Sequence, residues 1–214
     1  VRQALACMSA AADITYNAGA RPNRKVLKPV FSFLGDQRMP VRHQAELTAT
    51  MIVRRAAAAS DQQTLDFMSQ HLVQMIASAR PDKKTSSENP AQQAMPLVRA
   101  AAPMLPPDNI TNICVELLRL PATLGQHPCC TAAFEFLAGH LGRSSCSEDE
   151  SEQLTALAIK LLPGLLGVPV TMLNVAYVVA YAQALAAATC LLCTARGVNN
   201  APPEAHKFKL ASMK

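Results

Sequence analysis

The sequence predicts an all-α fold in which antiparallel helix pairs stack in series, and three observations carry that prediction. Apolar residues recur at three- and four-residue spacing through most of the chain, the period of a helix face. No sustained apolar/polar alternation bounded by turn residues points to a sheet. Helix-opening signals, either proline or a Ser, Asp or Asn cap, punctuate the chain from end to end. Half of the 214 residues are hydrophobic, yet aromatics are only 4% and Trp is absent, so alanine and leucine supply most of the apolar volume. Such residues suit close packing of helix on helix and are strong helix formers.

Taken in order, residues 2–17 read as a helix ending near Asn17 and Gly19, a plausible C-cap pair. Val1 opens inside that pattern without Met or a signal-peptide layout, which predicts a fragment of a longer protein. Pro22 starts a helix over 22–34 that stops at Gly35, and Pro40 starts the next over 40–58. Ser60-Asp61-Gln62-Gln63 spells a capping box, and Leu65, Met68, Leu72 and Ile76 then mark one helix face to about Ser78. Residues 80–89, RPDKKTSSEN, read as a polar loop.

Asn89-Pro90 opens a helix that Pro96 and Pro103 are expected to kink or shorten. Pro107 and Asp108 open another, with Ile110, Ile113, Leu117 and Leu120 on one face, and His127-Pro128 opens a helix running to His140 or Gly142. Ser147-Glu148-Asp149-Glu150 is a second capping box, with acids in the first turn where the helix dipole favours them. Leu154, Leu157 and Leu161 form its stripe before Pro163 and Gly164 interrupt. Pro169 is expected to open the last long helix, to about Ala195, and 196–214 read as an irregular tail or the start of a next repeat.

The prolines set the higher-order pattern. Pro40, Pro90, Pro128 and Pro169 open alternate helices at spacings of 50, 38 and 41 residues. A helix pair recurring at that length is the signature of a HEAT or armadillo solenoid, which assigns residues 1–195 to a HEAT/armadillo-like α-solenoid. Within LGDQRMPVRHQAEL, Asp36, Pro40, Val41, Arg42 and Ala45 resemble the HEAT pattern at the turn and start of a second helix. Proline in a first turn loses no hydrogen bond, valine packs between helices, and arginine reaches acidic groups near the turn. Gln92, Cys130 and Thr171 stand where later copies would carry that arginine.

The net charge of +5 is concentrated at one end: residues 1–55 hold nine basic and three acidic side chains, while the remainder holds eleven and twelve. Arg21, Arg24, Lys25, Lys28, Arg38 and Arg42, with Arg54 and Arg55, form the surface feature on which a contact with RNA phosphates or an acidic protein rests. The bland alternative is a solvated face with Arg42 pairing Glu46 at i,i+4. Phe31 and Phe33 are the only aromatics nearby, which argues against base-specific reading.

Seven scattered cysteines, an odd number set in apolar helical patterns, indicate a reduced, intracellular protein. Cys190 and Cys193 form a CxxC with no second pair to complete a zinc site, so they read as core cysteines. Cys129 and Cys130 are adjacent and point apart, and His140 reads as a C-terminal cap, so neither metal nor cofactor is expected. No phosphate-cradling glycine loop or nucleophile elbow is present, which sets enzymatic activity aside. The charge-free stretch 161–195 raises a membrane span, but Asn174, Tyr177, Tyr181 and Gln183 interrupt it. An inner helix covered on several sides accounts for the same apolarity without a membrane.

Four segments in order, VRQALACMSAAADI, VFSFLGDQRMPVRHQAELTATMIVR, PMLPPDNITNICVELLRLPATLGQHPCCTAAFEFLAGHL and VPVTMLNVAYVVAYAQAL, are similar to consecutive helices of the ribosomal RNA processing protein twelve family. These are nucleolar HEAT-repeat proteins, and the likeness covers most of residues 1–190. Its best part is the helix pair from Leu105 to Leu141, with its LP turn, its LLRL helix end, and Phe134 and Leu137 after it. The resemblance implies a non-enzymatic scaffold in the nucleolus and nucleus. Such a scaffold binds pre-ribosomal RNA, ribosome-assembly factors and nuclear transport components, and supports small-subunit maturation and export. The loop 80–89 and the tail after Arg196 have no counterpart in it. HEAT proteins at large share the pattern, so a nuclear transport receptor or other protein-binding solenoid stands as the alternative.

Overall fold

Helix caps decide where the elements begin. The computed structural model describes residues 1–81, 89–143, 147–170 and 174–195, with the side chains of Arg24 and Val26 outside that description. Most of the expected loop at 80–89 and the tail 196–214 therefore lie outside the described residues. Among the described residues the chain forms nine α-helices and no strand. They are α1 (Arg2–Asn17), α2 (Arg24–Ser32), α3 (Met39–Ala58), α4 (Gln62–Ala77), α5 (Pro90–Ala101), α6 (Pro107–Leu124), α7 (Pro128–Leu141), α8 (Glu148–Leu166) and α9 (Val175–Ala195). The chain divides into two units, Val1–Glu116 and Leu117–Lys214, the division falling within α6.

In the first unit α1 packs on α3, and α3 on α4 and α5. α1 leaves Gly19 at φ +70, a left-handed conformation that glycine adopts without a Cβ penalty. Asn23, not Pro22, caps α2, its side chain accepting from the Lys25 N–H at 2.9 Å. α3 carries Pro40 in its first turn as expected and buries Val41, Ala45, Thr48, Ala49, Ile52, Val53 and Ala56. Small residues at this spacing let α1 approach closely enough for the Thr48 hydroxyl to donate to the Leu5 carbonyl at 3.2 Å.

The capping box expected at Ser60 is displaced by one residue. Ser60 sits at φ +51 in the turn and Asp61 becomes the cap of α4, accepting from the Thr64 N–H at 3.3 Å. Asp61 is fully buried, and its second oxygen also accepts from the Thr64 hydroxyl at 2.6 Å and the Tyr16 hydroxyl at 3.0 Å. A buried carboxylate satisfied by several donors is the more stable choice over an exposed serine cap. α5 starts where Asn89-Pro90 indicates, with Asn89 accepting from the Ala91 N–H. Pro96 lies inside that helix without ending it, and Pro103 falls in a 3₁₀ turn at Ala102–Met104.

In the second unit α7 and α8 both pack on α9. Phe134 stands edge-on to Tyr177 and Tyr181, with ring centroids 5.4 and 5.5 Å away. Tyr181 donates its hydroxyl to the Leu165 carbonyl at 3.0 Å, which ties α9 to α8. Ser147 and Glu150 form the reciprocal capping box that the spelling predicts. Pro163 and Gly164 do not end α8, which runs on to Leu166.

Two expectations for the last helix need correction. Pro169 does not open it: α9 begins at Val175, where Asn174 accepts from the Tyr177 N–H at 3.2 Å, and 171–173 lie outside the described residues. Of the four expected prolines, those of α3, α5 and α7 stand in the first turn, and α6, between two of them, also opens on a proline, Pro107. Nor, among the described residues, is α9 covered on several sides. It buries one stripe, Tyr177, Ala180, Ala184 and Ala188, and leaves Val175 74% and Val179 48% exposed. Among the described residues it alone is long and apolar enough to cross a membrane, by length and composition.

Candidate binding interface

The corner between α2 and α3 is organised by one short acid. Asp36 ends the 3₁₀ turn after α2 and accepts from the backbone N–H of Arg38 at 2.8 Å. Its two oxygens also take the Arg38 Nε and Nη2 at 3.0 and 2.9 Å, a bidentate pairing. The Arg38 side chain, followed by the Arg38 N–H, holds the Asp36 carboxyl down at about 2. Arg42 does not pair Glu46: its Nη1 donates to the Asp36 carbonyl at 3.2 Å, and His43 Nδ1 lies 3.6 Å from Glu46 instead. The turn thus uses two arginines structurally, one on the carboxylate and one on the carbonyl of the same residue.

The remaining basic residues divide by what they face. Arg21 is 63% exposed, with its Nε 3.8 Å from the buried Asp61 carboxylate. Lys25 and Lys28 lie one turn apart on α2, both exposed and opposite buried Leu27, Val30 and Phe31. Among the described residues neither lysine forms an ion pair. The Arg24 side chain lies outside the described residues. Arg55 pairs with Asp13, while Arg2 and Arg54 are exposed. Lys28 also reaches inward electrostatically: burial first, then its charge, lowers the pKa of His71, whose ring packs 4.4 Å from Phe31.

Two grooves border this corner. One, of about 600 Å³, runs between the start of α3 and α5, with Met39, Pro40, Arg42 and His43 on one wall and Gln92 and Pro96 on the other. The second, of about 680 Å³, brings Arg2 and Gln3 of α1 beside Arg38 and Gln44. Sequence reading had no route to either, because each depends on how two helix starts far apart in sequence come together. It also missed the Tyr16–Asp61–Thr64 network, for which only the Asp61 position gave a hint. Burial pushes the Tyr16 hydroxyl up to about 12 and opposes ionisation of Asp61, but hydrogen bonds from Thr64 and Tyr16 outweigh it and leave Asp61 lowered.

The cysteines and His140 offer no reactive group in their buried set. Burial raises Cys114 and Cys130 to about 12 and Cys129 to about 11, so all three are neutral thiols. His140 is not a charged helix cap. It is 7% exposed, stacked on Phe136 and held at about 4 by burial and by Arg143. Cys190 and Cys193 are exposed on α9 rather than in a core. Among the described residues no three His, Cys, Asp or Glu side chains converge to hold a metal ion. Compared with family models, curated proteins and solved structures, the chain matches none of them.

Proposed function

We propose that the chain is a non-enzymatic HEAT-like scaffold whose amino-terminal unit holds the phosphodiester backbone of RNA. One observation carries this reading: Lys25 and Lys28 stand exposed one turn apart on α2, with no carboxylate engaging them among the described residues. Arg21 and Arg38, each 63% exposed, add cationic surface while partly engaged by Asp61 and Asp36. Phosphate contacts need only positive charge in reach and carry no base information, which suits a patch without exposed aromatics. The repeat reading draws support from alternate helices packing on each other, α1 on α3, α3 on α5, and α7 on α9.

The setting comes from the resemblance: pre-ribosomal particles in the nucleolus and nucleus, with assembly factors and nuclear transport components as protein partners. No membrane enters this reading. Gln183 is exposed midway along α9, where lipid would leave its amide unsatisfied. The test is a salt titration of binding to unrelated single-stranded RNAs, comparing the parent chain with Lys25→Glu/Lys28→Glu. Each lost phosphate contact lowers the log–log salt slope by about 0.7 for single strands, so the double variant loses about 1.4. Circular dichroism checks the fold. Equal affinities and equal slopes sink the proposal.

A further inference from the structure

Two thiols stand one helical turn apart on the outer side of α9. Cys190 and Cys193 are free and exposed, while the stripe that α9 buries, Tyr177, Ala180, Ala184 and Ala188, faces the other way. A helix carries residues i and i+3 on one face with Cα atoms about 5 Å apart, inside the range of about 4.4–6.8 Å over which a disulfide closes. Cβ atoms at this spacing are about 5–6 Å apart and a disulfide needs about 3.5–4.5 Å, so the turn has to tighten by about 1 Å.

Threonines on both sides of the pair loosen that turn. The Thr189 hydroxyl donates to the Leu185 and Ala186 carbonyls, both at 3.0 Å. The Thr194 hydroxyl donates to the Cys190 and Leu191 carbonyls at 3.1 and 2.9 Å. Such back-bonding competes with the helix's own N–H donors and bends helices. Among the described residues no other cysteines share this arrangement. Cys7 is exposed but has no second cysteine on α1, Cys114 is alone on α6 and buried, and Cys129 and Cys130 are adjacent and buried.

We propose that Cys190 and Cys193 form a reversible disulfide within α9, exchanging two electrons with a small-molecule disulfide of the glutathione class. One cysteine thiolate attacks a sulfur of oxidised glutathione, the S–S bond breaks, and one glutathione leaves as thiolate. The second cysteine thiolate attacks the glutathione-bearing cysteine sulfur, which closes the Cys190–Cys193 bond and releases the second glutathione. The two protons given up by the protein thiols end on the two glutathione thiolates. Two protein thiols are oxidised and one small disulfide is reduced. An exposed disulfide in a tightened turn is of the labile kind, so excess reduced glutathione reopens it. The pair uses no residue of the Lys25 and Lys28 face and stands independently of the RNA reading.

The native full chain is equilibrated in glutathione buffers of graded ratio, quenched in acid, alkylated and cut with trypsin for mass spectrometry. Fragment 161–196 contains no other cysteine, so its mass reports the pair alone. As the buffer becomes oxidising, the fragment is expected to lose two hydrogens and take up neither label. Both thiols should return when reduced glutathione is restored. Cys193→Ser should convert the closed form into a glutathione adduct on Cys190. Leu192→Cys/Cys193→Leu keeps two thiols but sets them two residues apart, where helical side chains do not face each other. This variant is expected to accumulate glutathione adducts in place of the internal bond. Adducts or labels without an internal bond on 161–196 at every ratio overturn the proposal. So does a bond that joins two chains, or a shifted pair that closes as readily as the native one, since helix spacing then selects nothing.

Discussion

Removing the Asp61 carboxylate should cost the amino-terminal unit more stability than any surface charge change. Asp61 is fully buried and receives three hydrogen bonds, from the Thr64 N–H, the Thr64 hydroxyl at 2.6 Å and the Tyr16 hydroxyl at 3.0 Å. In Asp61→Ala the α4 cap is lost, worth about 1 kcal/mol. The Thr64 hydroxyl, itself buried, is left without its acceptor at about 1–3 kcal/mol, while half-buried Tyr16 can turn to water. Together this is about 2–4 kcal/mol. Asp61→Asn keeps the cap and the shape but gives up the oxygen that serves both hydroxyls, so about half of that loss is expected. Urea denaturation followed by helical circular dichroism, with m-values compared, reads both variants.

The pH dependence gives an independent check. Asp61 has a folded-state pKa below its unfolded value, so its contribution is complete above about 3.9 and fades as the pH falls through the folded value. The parent should lose this part of its stability on acidification below about pH 4, and Asp61→Ala should lose less over the same range. An Asp61→Ala variant within about 0.5 kcal/mol of the parent would refute the idea that this carboxylate anchors the turn.

Three further outcomes are expected. Gly139 lies inside α7 with open space where a Cβ would sit, so Gly139→Ala should stabilise by about 1 kcal/mol in thermal or urea unfolding. His140 is held at about 4, below its unfolded value of about 6.5, so its neutral form favours folding and that contribution fades between about pH 6.5 and pH 4. His140→Leu should flatten this acid slope, and an unchanged slope would assign it to other groups. Thiol labelling of the native chain should modify exposed Cys7, Cys190 and Cys193 quickly and spare Cys114, Cys129 and Cys130 until unfolding, read by mass spectrometry.

Helix existence was legible because each helix carries its own period and most carry their own cap. Leu65, Met68, Leu72 and Ile76 are all buried as their spacing requires, and Ser147 and Glu150 close their box. What local spelling could not resolve was competition between neighbouring options. Asp61 displaces Ser60 as the cap because Tyr16, forty-five residues away in sequence, donates to it. Pro163 stays inside α8 although a proline costs one backbone hydrogen bond, since the Leu161 and Leu165 stripe on either side of it is buried. The exposed face of α9 was unreadable for a different reason. An uncharged helix looks the same in sequence whether neighbours cover one side of it or all of them.

For the basic residues, sequence identified the charges but not their commitments. Arg38 and Arg42 belong to the Asp36 turn, and only the structure separates them from Lys25 and Lys28. The grooves were beyond reach, because nothing in the spelling of α3 states that Gln92 of α5 lies across from Arg42.

The most direct test of the scaffold reading is sequencing of the RNA that crosslinks to the full-length protein in cells, done in parallel for the parent and for Lys25→Glu/Lys28→Glu. The account predicts enrichment of pre-ribosomal RNA with the parent and a marked loss with the double variant, while co-purifying proteins are retained. Recovery of proteins alone, with no RNA above background, would contradict it.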